Sequence, residues 1–298
     1  MKETAITLLL LFILGLLNGG KLLAQKEAQR AYREAEALRE QNRCTEAIQR
    51  YNVAIKEDPK NYRYYLQRGR CEYRMNKMTA ARYSLEQAVA LGADEIPASV
   101  YYLLGKIHLN ENPDNQAEAV KYYRKAADLE TDGTRRMQYQ LLLVQSLTNL
   151  QQYNEAQSYL NIVAKEAPEN ASVLYYQGQL AGAQGQWEAA KSYYEQALRS
   201  SELKDATAET RAKYYYGLGR AFEELGQEEE AKTAFVEANH GALRPLVAPK
   251  LQENTPAYHY KLAVSYYLGE EYQLSEEYLQ RVFEVENNNA NAYVLGSR

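Results

Sequence analysis

Few residues in this sequence could do covalent or metal chemistry, and their spacing speaks against it. The three histidines are His108, His240 and His259, and no two share a helix at metal-ligand spacing or meet a cysteine or carboxylate cluster. Cys44 and Cys71 are the only cysteines. There is no glycine-rich phosphate loop, nucleophile elbow or H-E-x-x-H. The acidic run Glu228–Glu230 stands at the start of a helical pattern, where the macrodipole favours negative charge, so it needs no catalytic role. No catalytic residue and no cofactor are therefore expected, because hydrolysis or group transfer needs a converging polar constellation. What the side chains do offer is recognition. There are 28 Tyr against four Phe and one Trp. Tyrosine buries its ring while its hydroxyl stays wet, which suits both a contact surface and a core with much surface. A formal charge of −4 argues against bulk binding of phosphate or nucleic acid.

The elements that carry these residues are most legible in Tyr214–Ala238. Apolar residues recur there at helical spacing on two segments, over roughly 212–225 and 228–238, with a break at Gly226. Gly219 and Ala231, one small residue on each segment, let two antiparallel helices approach closely, and Phe235 fills the gap against the next helix. Gly226 ends the first helix without steric cost. One such pair cannot bury its apolar faces alone, so neighbours are needed on both sides.

The same pattern recurs along the chain. It reads as Ala35, Ala47, Tyr51 and Ala54 over about 27–59, then Gly69, Ala81, Leu85 and Ala88 over 61–93. Ala35 and Gly69 are 34 residues apart. Tyr101, Leu104, Gly105, Ala119, Tyr123 and Ala126 mark 97–130, and Val144, Ala156, Leu160 and Val163 mark 136–168. Gly178, Ala190, Tyr194 and Ala197 mark 171–200; a polar insertion, 201–210, precedes the sixth unit. The seventh, 255–287, is degenerate, with Ala263, Ser275, Leu279 and Val282, and 289–298 restarts the pattern. Val144 replaces the usual Gly or Ala and is expected to spread its pair slightly. The longest interruption, 239–254, carries Pro245 and Pro249 and reads as an irregular joint or short helix.

As a set, these seven units resemble tetratricopeptide repeats, from about Glu27 to Asn287. The resemblance implies an all-α, right-handed superhelical solenoid of about seven antiparallel helix pairs, of a scaffold class without catalysis. It implies a concave groove lined by first helices that holds a peptide or partner. One line of groove residues stands three before each small first-helix residue: Tyr32, Leu66, Tyr102, Leu141, Tyr175, Tyr216 and Tyr260. These would form an aromatic ladder or pack along the inner wall. The line just after the small residue is Glu36, Arg70, Lys106, Gln145, Gln179, Arg220 and Val264. With Arg63 and Arg74 it would make the second and third repeats basic inside, favouring an acidic segment or a terminal carboxylate, or form an ordinary solvated face. His108 and His259 fall at bulky positions of the pattern and read as core. The fold also implies that Cys44, at a turn, and Cys71, near the end of the next first helix, are adjacent. A disulfide there could contribute roughly 3 kcal/mol in an oxidising compartment; buried packing of Cys71 is the alternative.

The N-terminus reads as a secretory signal peptide over 1–24, with Lys2, an apolar run Ala5–Leu17 and a small residue, Ala24. An uncleaved anchor is the alternative. The ending LLAQ resembles signal peptides of Bacteroidota. The expected organisation is a signal peptide at 1–24, six repeats at 25–238, the joint at 239–254, and a seventh repeat with a capping or further helix at 255–298. The expected function is a periplasmic or outer-envelope scaffold that binds a protein or peptide, in an assembly or secretion complex. No nucleic acid, no small-molecule cofactor and no membrane span after cleavage are expected. The alternative is a structural spacer or self-assembly module, the N-terminal part of a larger envelope protein, whose groove its own C-terminal segment occludes.

Overall fold

The computed structural model describes residues 2–251 and 256–297, the side chains of 2–20 and of Ala93 excepted. Among these residues the chain is all α, without strands. It divides into two compact units, Met1–Tyr139 and Gln140–Arg298.

The first unit holds α1 (Lys2–Glu40) with α2 (Cys44–Glu57), α3 (Tyr62–Arg74) with α4 (Met78–Gly92), and α5 (Ala98–Glu111) with α6 (Gln116–Leu129). Each pair packs on itself, and α2 packs on α3 and α4 on α5. The division falls within α7 (Gly133–Asn149). The second unit continues with α8 (Tyr153–Glu166), α9 (Ala171–Ala183), α10 (Trp187–Arg199), the short α11 (Ser201–Lys204), α12 (Ala208–Glu224) and α13 (Glu228–Ala238). After a joint come α15 (Pro256–Leu268), α16 (Tyr272–Val285) and α17 (Ala290–Gly296).

Sterics explain why these sequences pair. A side-chain carbon on Gly69 would meet Leu85 at 2.8 Å, on Gly105 Tyr123 at 2.5 Å, on Gly178 Tyr194 at 2.7 Å and on Gly219 Phe235 at 2.7 Å. The small residue of each first helix is thus the socket for the bulky residue of its own second helix. Ala35, Val144 and Ala263 occupy the same place and are buried, as are Tyr51, Leu160 and Leu279.

The turn within a pair repeats too. Asn42, Asn76, Gln151, Gly185, Gly226 and Glu270 all have φ between 58° and 73°, each just past the end of a first helix. Gly226 takes this left-handed conformation freely, whereas Glu270 and Gln151 carry a steric cost. Glu270→Gly is therefore expected to stabilise the second unit by roughly 0.5–1 kcal/mol, net of the greater freedom glycine gives the unfolded chain. A rise in the thermal midpoint reads this out; a fall would show that Glu270 contributes more by its side chain than it loses by its backbone.

Three expectations are refined. α12 begins at Ala208, because the Thr207 side chain caps it by accepting from the Thr210 amide at 3.2 Å. The 201–210 insertion is partly helical, and buried Leu203 anchors it. The joint is ordered from 239 to 251 as a 3-10 turn (Gly241–Leu243), α14 (Arg244–Val247) and a second 3-10 turn (Ala248–Leu251), with Val247 and Leu251 buried. Residues 252–254 of that joint, with Thr255 of the seventh unit, lie outside the described residues. Most side chains of the 1–24 segment do so too, while its backbone from Lys2 belongs to α1. Among the described residues no helix is long and apolar enough to cross a membrane.

Candidate functional site

In the second unit the first helices α7, α9 and α12 line a cleft of about 480 Å³. Its walls are aromatic: Tyr175, Tyr194, Tyr216 and Trp187. Glycines make room for them, since a carbon added to Gly182 would stand 2.9 Å from Trp187 and one on Gly217 2.5 Å from Tyr194. Tyr175 packs against Tyr194 at 5.9 Å and Tyr214 at 5.2 Å, and its hydroxyl accepts from Gln179 Nε2 at 2.8 Å.

The polar lining comprises Gln145, Thr148, Asn149, Gln179, Lys213 and Arg220, with no carboxylate. Lys213 Nζ stands 4.9 Å from the ring centres of both Tyr175 and Tyr214. Burial holds its ammonium below the usual lysine range, and no opposing charge offsets that. Arg220 lies over Trp187 at 5.8 Å and reaches Glu224 only at 3.8 Å. The cleft therefore presents desolvated positive charge between π faces, an arrangement that favours an anionic or acid-bearing ligand.

The first unit carries a second depression of about 360 Å³, lined by Arg39, Arg70, Arg74, Cys71, Tyr73, Ser99, Tyr102, Leu103 and Tyr139. Tyr102 and Tyr139 are stacked there at 5.0 Å. Glu36 neutralises Arg39 at 2.9 Å and accepts a short hydrogen bond from the Tyr51 hydroxyl. Burial, then the neighbouring Arg39 charge, lowers the Arg70 pKa. Lys106 lies over Tyr102 at 5.5 Å. Arg63 is elsewhere: it is exposed, 3.7 Å from Glu95.

Of the line expected to face a ligand, Tyr32, Tyr102, Tyr175, Tyr216 and Tyr260 are half-buried. Tyr32 packs on Tyr51 and Tyr64, and Tyr216 on Phe235. These rings thus lean on their own pair or the next and stay partly exposed. Leu66 and Leu141 are 6% and 4% exposed and offer little surface. Val264 is half-buried beside α16 and α17 side chains. Lys213, Trp187 and Arg39 were not singled out by the repeat pattern, and nothing in their spacing marks them. Cys44 and Cys71 are both buried, with sulfurs 2.8 Å apart. His259 is buried, and burial lowers its pKa; His108 stacks on Tyr122 at 5.3 Å. Among the described residues no cluster could hold a metal ion.

One constellation escaped the sequence. His240 stands 2.9 Å by Nε2 from Ser265 Oγ and 2.7 Å by Nδ1 from Glu271 Oε1. The order serine, imidazole, carboxylate is that of an acyl-transfer relay. Here it has no access. Ser265 is 3% exposed, its Oγ also reaches the Val236 carbonyl at 3.3 Å, and Gly269 lies against the imidazole. These contacts bind the joint to α15 and α16.

Comparisons with known proteins agree with the helix-pair fold. Two family models described as tetratricopeptide repeat match, one over residues 32–96 and 177–238 and one over 98–132. No curated protein matches. Among solved structures, a tetratricopeptide repeat protein from Parabacteroides merdae is similar with a TM-score of 0.57 and 12% identity, covering 91% of this chain and 98% of its own. The C-terminal part of a TPR repeat-containing protein from Cytophaga hutchinsonii gives 0.54 and 18%, covering 89% and 98%. The APC/C hetero-tetramer Cut9–Hcn1 gives 0.51 and 18% over 93% of this chain but only 47% of that one, so this chain spans about half its length. With sockets, turns and repeat matches in agreement, the chain belongs to the tetratricopeptide repeat family.

Proposed function

We propose that the protein is a non-enzymatic scaffold, exported across the inner membrane, that holds an acid-bearing segment of a partner protein in the α7–α9–α12 cleft. Repeats of this family are typically scaffolds for protein contacts. The observation that carries the reading is Lys213: a partly desolvated cation between two tyrosines, in a cleft that supplies no carboxylate. A ligand carboxylate would remove that electrostatic penalty, while Tyr175, Tyr216 and Trp187 contribute contact area and Gln145 and Gln179 hydrogen bonds. Export, to the periplasm or outer envelope and to an assembly or secretion complex there, rests on Lys2, the apolar run Ala5–Leu17 and Ala24.

The spacer reading has one observation in its favour: Leu243 of the joint lines an edge of the cleft. It closes only that edge, and the volume beyond it stays open, so recognition is the better-supported reading.

The test is crosslinking in a native-like envelope. A Lys213→Met, Tyr175→Ala, Tyr216→Ala variant that keeps its helical circular dichroism is compared with wild type and with Arg74→Ala in the other unit. The expected result is a partner captured by wild type and by Arg74→Ala. The triple variant should lose it by at least ~30-fold, the effect of losing about 2 kcal/mol at a hot spot. Equal capture by the triple variant would move the interface off this cleft, and capture by none would favour the spacer.

A further inference from the structure

We propose that Cys44 and Cys71 form a disulfide that staples the first repeat to the second, made by thiol–disulfide exchange with a disulfide-bearing oxidant of an oxidising compartment. The proposal rests on the export reading for its setting, and the test below lets the two fail separately.

The seam that carries the pair is held on both sides. Cys44 opens α2 directly after the turn at Asn42, and Cys71 sits in the last turn of α3, so two consecutive repeats meet at these sulfurs. Arg74 Nη2 donates to Asn42 Oδ1 at 2.5 Å, and Thr45 Oγ1 lies 3.8 Å from Met75 Sδ. These contacts fix the register, and the sulfurs between them already stand 2.8 Å apart. A disulfide bond is about 2.05 Å, so closure needs the sulfurs to approach by a further ~0.75 Å. Tyr51, Ala35 and Ala47 pack around the pair, which also makes it part of the core.

The order of events follows from exposure. Cys44 is 6% exposed and Cys71 0%, so the oxidant is met at Cys44. The Cys44 thiolate attacks one sulfur of the oxidant's disulfide, and the other sulfur leaves as a thiolate. The Cys71 thiolate then attacks Cys44 Sγ in the mixed disulfide and releases the oxidant's second thiolate. Two protons leave the protein thiols, and two electrons pass to the oxidant, which ends as a dithiol. Burial, and the hydrogen bond shared with the Cys44 thiol, push the Cys71 thiol up to about 12. The second step is therefore expected to be the slow one, and to be fastest while the seam is open during folding.

The crosslink has a consequence for the basic depression of the first unit. Cys71 lines it, between Arg70 and Arg74, and Arg39 comes from the end of α1. Tying the start of α2 to the end of α3 holds the helix that carries Arg70 and Arg74 against the helix that packs on α1, which carries Arg39.

The experiment takes the reduced full chain into a glutathione buffer poised as in an oxidising compartment, without and then with denaturant, followed by intact mass and maleimide labelling. The expected product is a monomer lighter by two hydrogens, with no thiol labelled in denaturant until reductant is added. Its thermal midpoint should exceed that of the reduced chain by several degrees. Two labelled thiols per chain, an accumulating glutathione adduct, or a crosslink that lowers the midpoint would each overturn the proposal. Cys44→Ser and Cys71→Ser report the behaviour of a single thiol; should either fail to fold, the wild-type comparison with and without reductant stands alone. Labelling in whole cells is read separately. Two free thiols there, with a crosslink formed in the buffer, leave the pair supported and overturn the export reading.

Discussion

Tyr194→Ala is expected to destabilise the second unit by about 3–5 kcal/mol, the range for removing a large aromatic from a core. The ring is 5% exposed and meets two helices where each has a glycine. Gly178 of α9 and Gly217 of α12 come so close that a side-chain carbon on either would stand within 2.7 Å of it. α10, which carries the ring, packs on both. Neither glycine has a side chain to swing into the space, so the variant keeps a cavity or draws three helices together. A repeat array does not unfold as one cooperative unit, so the effect is read locally. Hydrogen exchange should rise in α9, α10 and α12 together, with the first unit unaffected. Tyr194→Phe keeps the wedge and should cost under ~1.5 kcal/mol. Unchanged protection in α12 on Tyr194→Ala would show that the ring does not carry the contact between repeats.

That wedge marks how much of the fold was legible. The socket pairs are steric, local in sequence and repeated, so Gly219 with Phe235 and Gly178 with Tyr194 announce themselves through spacing. Gly217 is invisible to the same pattern, because its partner belongs to the preceding repeat and only packing between repeats brings them together. The turns were half legible. Gly226 is a familiar helix terminator, but the same left-handed conformation at Gln151 and Glu270 is imposed by the pairing of helices against the preference of the residue. The candidate site shows the same division. Tyr175 and Tyr216 follow from the repeat register, whereas Lys213 gains its meaning only from the two rings that desolvate it.

Irregular segments are where reading from sequence stops. His240, Ser265 and Glu271 lie 25 and 31 residues apart and belong to no common repeat position. The sequence shows a joint with two prolines; it does not show that the joint is tied down. Asn239 Nδ2 donates to the Tyr266 hydroxyl at 2.6 Å, and Arg244 stacks over the same ring at 5.3 Å. The joint is thus held by polar contacts at one end, and at the other by Val247 and Leu251 in the core and by Lys250 Nζ, which donates to Glu223 at 2.7 Å.

Acid is expected to release this joint, and Glu271→Gln to release it at neutral pH. Burial alone would raise the Glu271 carboxyl, but hydrogen bonds from His240 and Arg244, with their charges, bring it below the usual glutamate range. A carboxyl whose folded pKa lies below its unfolded value contributes stability in full above that unfolded value, about 4.3. The contribution is lost as pH falls through the lower, folded value. Protection of the 239–251 amides should therefore hold from pH 7 down to about 5, begin to fall once the pH passes below the unfolded value of about 4.3, and be lost only below the folded value. In Glu271→Gln it should already be reduced at pH 7, by about 1 kcal/mol for each hydrogen bond that loses its charge, and show a smaller further loss in acid than wild type. The groups facing the lock are His240, Arg244, Tyr266 and Ser265, and of these the buried imidazole depends most on Glu271 for a partner. Retained protection of 239–251 in Glu271→Gln would mean that Val247, Leu251 and the Lys250–Glu223 pair hold the joint without it. The effect reaches the candidate site, because Leu243 of this joint lines the cleft. A released joint removes one wall of it, so Glu271→Gln should weaken partner capture while Lys213, Tyr175 and Tyr216 stay in place.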